Sequence, residues 1–249
     1  MKLKSILIAA SFLVSSVVAY GDDVIVAVAA NFTEPVKEIA NAFEAETGHK
    51  VTLSFGATGN FYTQIKNGAP FEVFLAADSE RPAKLVEEGY GVKGSEFTYA
   101  IGTLVLYSAK PNVVKGPETL KNTAIKHISY CNPDAAPYGK AAVETMEALK
   151  VFDVIKPRLV EGANISQAFQ FVETGNAEIG FVALSQVINQ KAGSQWVVPQ
   201  EYYNPIKQDA VLLKIGENNE AAKAFLNFLQ KDPKSEEIIK RYGYSLSAK

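Results

Sequence analysis

Four short segments of the chain place small, hydroxyl-bearing or amide-bearing residues directly before an expected helix start. They are Ala29-Ala30-Asn31-Phe32, Gly56-Ala57-Thr58-Gly59, Ala136-Pro137-Tyr138-Gly139 and Ala163-Asn164-Ile165-Ser166. The first turn of a helix has N–H groups with no partner inside the helix and carries a partial positive charge, so it is a ready anion site. No lysine or arginine occurs in any of the four; the nearest is Lys140. Neutral donors of this kind suit a dehydrated anion. Each segment also has an ordinary reading. Asn31 with Glu34 three residues on matches a capping pattern, and Thr58 and Asn164 can cap helices. Tyr138 between Pro137 and Gly139 can be a plain turn. The pattern alone indicates an anion-binding α/β protein and stops there.

Enzyme chemistry finds less support. Of the two histidines, His49 follows the helix-ending Gly48 and reads as an exposed C-terminal residue, and His127 starts an apolar strand and reads as structural. HExxH, GxSxG, Walker A and CxxC motifs do not occur, and no His–Cys cluster has metal-ligand spacing. Asp78 has no partner base and reads as a cap before Arg81.

The elements that must position the four segments alternate. Val24 to Ala29 is a buried-strand run, Phe32 to Glu46 a helix ended by Gly48, and Val51 to Phe55 a second strand. Asn60 to Lys66 is helical, Val73 to Ala77 a strand, and Arg81 to Glu88 a helix. This βαβαβα opening predicts a parallel sheet covered by helices. Strands are expected at Leu104–Ser108, Ile125–Tyr130, Ile179–Leu184, Trp196–Val198 and Ala210–Lys214. Helices are expected at Gly139–Lys150, Ser166–Glu173, Glu220–Leu229 and Ser235–Tyr242. The loops in question fall outside the carboxyl ends of strands, where open α/β sheets bind ligands. A chain of this length fits one large domain or two small ones, crossed on extended segments near Tyr99–Thr103 and Tyr203–Lys207.

The first residues read as a secretory leader. Lys2 and Lys4 precede an apolar run from Ile6 to Ala19, shorter than the ~20 residues of a membrane span. Cleavage falls after Ala19 or Gly21. Removing residues 1–21 takes away two lysines and no acid, moving the formal net charge from −2 to −4. That balance argues against nucleic acid as a partner. The single cysteine, Cys131, forms no internal disulfide and lies too far from the leader to carry a lipid. The expectation is a protein free in a periplasm.

The same segments carry a resemblance. In order they are Ala29-Ala30-Asn31-Phe32, Ser54-Phe55-Gly56-Ala57-Thr58-Gly59, Gly68-Ala69-Pro70 leading into Val73–Asp78, Asn132-Pro133 through Pro137-Tyr138-Gly139, Gly180-Phe181-Val182, and Lys240-Arg241-Tyr242-Gly243-Tyr244. The ordered set, spread over the chain after its leader, resembles the periplasmic molybdate-binding (ModA) family of ABC importers. The resemblance implies an α/β fold of the type II periplasmic binding protein class, a two-lobed clamshell with parallel-rich mixed sheets. Residues 22–101 with 205–249 would form one lobe, and 102–204 the other. It also implies molybdate or tungstate as ligand, an ABC permease as partner, a monomer, no cofactor and no catalysis. The positions matching the family's ligand residues are Asn31 and Thr58 from one lobe, with Ala30 beside Asn31. From the other come Tyr138 and Ile165, through backbone N–H groups. Some relatives carry serine where Asn31 and Thr58 stand. Some carry a donor tyrosine where this chain has Ala183, so either the remaining donors suffice or Ser185 substitutes. Two further expectations stand beside this one. The first is a protein of the same fold for sulfate or for ferric iron, the latter through the Tyr202-Tyr203 phenol pair. The second is an exported α/β enzyme.

Overall fold

In the computed structural model the described residues are 22–246, and the leader read at 1–21 lies outside them. The chain opens with β1 (Asp23–Ala29), α1 (Thr33–Thr47), β2 (Lys50–Gly56), α2 (Thr58–Lys66), β3 (Val73–Leu75), α3 (Glu80–Glu87) and β4 (Phe97–Gly102). Next come β5 (Leu104–Ser108), β6 (Ile128–Cys131), α4 (Pro137–Ala148), α5 (Phe152–Ile155), β7 (Leu159–Gly162), α6 (Ile165–Glu173), β8 (Ile179–Ala183), α7 (Leu184–Val187) and β9 (Ser194–Val197). It closes with β10 (Ile206–Leu212), α8 (Glu220–Lys231) and α9 (Pro233–Arg241).

The strands form two five-stranded mixed sheets, ordered β2-β1-β3-β10-β4 and β7-β6-β8-β5-β9. In the first, β1 runs parallel to β2 and β3, while β10 is antiparallel to β3 and β4. In the second, β6 runs parallel to β7 and β8, while β5 is antiparallel to β8 and β9. The small and β-branched residues of β1 suit its central position: Val24, Val26, Ala27 and Val28 are fully buried. The helix α1 packs Val36, Ile39, Ala40 and Phe43 onto that sheet and stops at Gly48, whose φ of 78° favours glycine. The C-terminal helices return to the same core, where Phe225 meets Phe43 edge-on at 5.4 Å. Leu104, Leu106, Ile128, Met146 and Phe181 fill the core of the second sheet. Among the described residues no helix is long and apolar enough to cross a membrane.

The structure differs from the sequence expectation at several edges. Tyr99–Thr103, expected as an extended crossing, is mostly strand: β4 pairs with β10 as far as Gly102, opposite Ile206, and only Thr103 separates it from β5. The strand β10 begins four residues ahead of the expected Ala210, because Lys207, Gln208 and Asp209 broke the apolar run that marks a strand. The helix α4 starts at Pro137, a residue favoured at a first helical position, and not at Gly139. The edge strand β7, with its exposed Glu161, carries too little alternation to be read.

The ends of β1, β2, β6 and β7 therefore project the four candidate loops. The two cores behind them fix the loop positions. Phe225→Ala opens a cavity in the first core and should lower unfolding free energy by about 3–5 kcal/mol. Urea denaturation would show this as a lower midpoint with little change in slope; an unchanged midpoint would contradict this account of the core.

Candidate functional site

Ala30, Asn31, Thr58, Tyr138 and Ile165 line a single small chamber, with about 10 Å³ open to the centre of a water-sized body. All five are 5% exposed or less. Pockets for organic ligands run about 300–1,000 Å³, far more than this chamber offers. None of its lining residues is charged.

Each donor is set by its element. Thr58 is the first residue of α2, after an extended Ala57, and its side chain makes no cap bond. Its Oγ1 accepts from the Ala77 N–H at 3.0 Å, which leaves the hydroxyl proton uncommitted among the described residues. The capping alternative for Thr58 therefore fails. For Asn164 it holds: its side chain accepts from the Gln167 N–H at 3.0 Å, and Ile165 is the first residue of α6. Tyr138 is the second residue of α4, after Ala136 and Pro137. Among the described residues, the N–H groups of Tyr138 and Ile165 bond to no carbonyl. The Tyr138 ring turns away, its hydroxyl 3.3 Å from Gln208 Nε2.

Ala30 and Asn31 lie in a 3₁₀ turn, Ala30–Phe32, that precedes α1. Asn31 is not a cap. Its Nδ2 donates to Gln208 Oε1 at 2.8 Å and to the Tyr244 hydroxyl at 2.9 Å. With both amide protons committed, Asn31 can offer an anion only its main-chain N–H. Ser185 does not line the chamber. Its hydroxyl donates to the Asn31 carbonyl at 2.8 Å and accepts from Tyr244 at 3.0 Å. It thus ties the two sides together and does not replace the donor lacking at Ala183. Two further contacts join the same two sides: Gly59 N–H to Ala135 O at 2.8 Å and Arg81 Nη2 to Asp134 O at 2.7 Å.

Beneath the chamber lies a buried polar floor formed by Asn31, Tyr99, Tyr138, Ser185, Gln208 and Tyr244. The Tyr99 hydroxyl sits 2.9 Å from Ala76 O and 3.1 Å from Gln208 Oε1. Burial pushes the Tyr99 and Tyr138 phenols well above the ordinary value of 10, and Tyr244 up to about 12. At neutral pH these are uncharged hydroxyl groups. Gln208 and Tyr99 carried no motif signal, and Tyr244 entered only as part of the C-terminal Lys240–Tyr244 signpost.

The remaining candidates sit elsewhere. His49 is half-buried and stacks on Phe43 at 5.9 Å, where exposure was expected, and His127 lies on the surface near Glu178. Asp78 accepts from the Arg81 N–H at 2.9 Å, a cap contact at the start of α3. The Tyr203 hydroxyl accepts from the Leu104 N–H at 3.1 Å, and the Tyr202 ring packs 6.2 Å from Trp196. The two phenols serve the return crossing and do not converge on the chamber.

A family model described as bacterial extracellular solute-binding protein matches residues 24–245. The molybdate-binding protein ModA of Rhodobacter capsulatus is 57% identical over 226 residues, 91% of this chain and 89% of that protein. The ModA protein of Azotobacter vinelandii is 57% identical over 232 residues, 92% of each. The solved structure of the Azotobacter vinelandii periplasmic molybdate-binding protein matches with a TM-score of 0.88 at 40% identity, covering 90% of this chain and all of that one.

The buried phenols give a testable pH dependence. A folded pKa raised above the unfolded value of 10 leaves its stabilising contribution intact below pH 10. That contribution is lost as pH rises from 10 through about 12. Denaturant midpoints measured across this window should fall, and Tyr244→Phe should show a shallower fall than the parent. Equal slopes would mean that Tyr244 titrates as an exposed phenol.

Proposed function

The chain belongs to the bacterial extracellular solute-binding proteins and, among them, to the molybdate-binding ModA family, and from that premise we propose that it captures molybdate in the chamber and delivers it to an ABC importer. The observation that carries the reading is one uncharged chamber bounded by four helix starts, two from each sheet's side. Of the described residues, 22–101 with 205–246 form one lobe of the clamshell, and 102–204 the other. The first contributes the Thr58 hydroxyl and the main chain at Ala30 and Asn31. The second contributes the N–H groups of Tyr138 and Ile165.

The mechanism follows from this division. An anion gains its full set of donors only when the lobes meet, so it favours the closed state. The permease then recognises the closed form. The ligand leaves unchanged, so the protein is a carrier and not a catalyst, and it works as a monomer with no cofactor. Export through the leader at 1–21 places it in the periplasm. Tungstate matches molybdate in charge and shape and is accepted as well. Sulfate is smaller and leaves fixed donors unpaired, at about 1–3 kcal/mol for each lost buried bond. Protonated phosphate needs an acceptor, and no Asp or Glu lines the chamber. Ferric iron is disfavoured by the engagement of Tyr203 with Leu104.

Calorimetric titration tests the proposal. Molybdate and tungstate should bind one to one, and sulfate and phosphate at the same concentrations should give little or no heat. Comparable binding of all four would defeat the size argument.

Ile165→Pro tests the backbone donor of α6. Proline is tolerated at a first helical position, and Asn164 before it is already extended, with φ −154° and ψ 175°. The variant should keep its helix content by circular dichroism yet bind molybdate about tenfold or more weakly, because a bond to a charged group contributes about 1.5–3 kcal/mol. Ile165→Val retains the N–H and should bind almost normally. If both bind like the parent, Ile165 is not a ligand position.

A further inference from the structure

One buried group holds residues from both sides of the chamber without lining it. Gln208 is completely buried on β10, at the point where the ladder to β4 shifts register between Gln208 and Asp209. Such bulges re-aim a side chain. Its Oε1 accepts from Asn31 Nδ2 at 2.8 Å, and its Nε2 donates to the Tyr138 hydroxyl at 3.3 Å. Asn31 belongs to the first-sheet side and Tyr138 to the second, and both line the chamber. A single amide thus spans the two ligand-facing loops. Gly102 keeps the passage open, since a Cβ there would lie 2.1 Å from the Tyr138 hydroxyl and 2.7 Å from Gln208 Nε2.

Resting on the reading of the chamber as an oxyanion site, we propose that Gln208 is a positioning residue for that site. Its amide links the 3₁₀ turn at Asn31 to the start of α4 at Tyr138, so that donors from both lobes converge on one anion. The chemistry of the position calls for an amide. It must accept on one side and donate on the other, and it must carry no charge beneath a bound anion. An apolar residue would leave Asn31 and Tyr138 each short of a partner in a buried network, where partial satisfaction is costly. A carboxylate would lack the donor and repel the ligand.

The titratable groups around the amide are the phenols of Tyr99 on β4, Tyr138 on α4 and Tyr244 after α9, all held neutral through the range tested. The carboxylates of Asp78 and Asp209 act on Tyr99 from nearby.

Molybdate titrations of the full protein between pH 6 and 9 test the proposal. The parent should bind with constant affinity. Gln208→Met removes both bridging bonds, and the Tyr99 contact with them, at similar volume and should weaken binding about tenfold or more, mainly through faster release. Gln208→Glu supplies the discriminating readout. When protonated, the new carboxyl can donate and accept as the amide does; when ionised, it cannot donate. Burial raises such a carboxyl into this pH range. Affinity of this variant should therefore recover toward the parent as pH falls, while the uncharged Gln208→Met stays weak at every pH, a pair of outcomes that charge repulsion alone would not produce. Tyr138→Phe removes the far end of the link, so its loss and that of Gln208→Met should fall short of additive in the double variant. Gln208 variants that bind like the parent, an affinity of Gln208→Glu that ignores pH, or fully additive losses would each overturn the proposal. A parent protein that fails to bind molybdate would overturn the underlying reading, and this role with it.

Discussion

An anion stripped of water must be met by hydrogen-bond donors that are already in place, and the cheapest such donors in a folded chain are the unpaired N–H groups of helix first turns. These groups are costly to bury without an acceptor. The chain gathers four helix starts around one chamber, with no cationic side chain among its lining residues. That arrangement depends on both sheets at once. The strands β1 and β2 end at the turn before α1 and at the start of α2, and β7 ends beside the cap of α6. No single side supplies more than half of the helix starts.

This constraint explains the polar floor. Two loops that face one another across a cleft need a common reference, or their donors would meet an anion at varying distances. Here the reference is a set of uncharged buried groups, Asn31, Tyr99, Tyr138, Ser185, Gln208 and Tyr244, joined mostly at 2.8 to 3.1 Å. Charged residues at these positions would compete with the ligand or perturb its selection. Buried phenols with raised pKa values remain neutral donors at any physiological pH. The exposed contact of Arg81 with Asp134 O lies outside the chamber, where a cation joins the two sides without touching the ligand site.

Much of this was legible in the sequence, for physical reasons that differ by residue. The strand β1 and the helix α1 announced themselves by periodicity, since burial on two faces and on one face leaves distinct patterns. Asn164 was readable as a cap and Ile165 as the first residue of α6, because the capping preference is local. Thr58 looked like a cap and is not one: it accepts from the Ala77 N–H, two residues past the end of β3, a partner that only the fold brings near. Asn31 lines the chamber, yet its side chain serves Gln208 and Tyr244, which lie 177 and 213 residues away. Ser185 was a candidate by proximity in sequence, and its hydroxyl is committed to the Asn31 carbonyl. Polar residues on a buried strand carry no local signature, so Gln208 was invisible until β10 was seen between β3 and β4.

The central claim is that neutral donors from both sides surround one oxyanion. Crystals of the molybdate-loaded protein, measured at the molybdenum absorption edge, would locate the metal atom directly. The account predicts one anomalous peak in the chamber, with oxygens about 2.7–3.1 Å from Thr58 Oγ1, the N–H groups of Tyr138 and Ile165, and the main chain at Asn31. A peak outside the chamber, or one whose oxygens are held by lysine or arginine side chains, would contradict it.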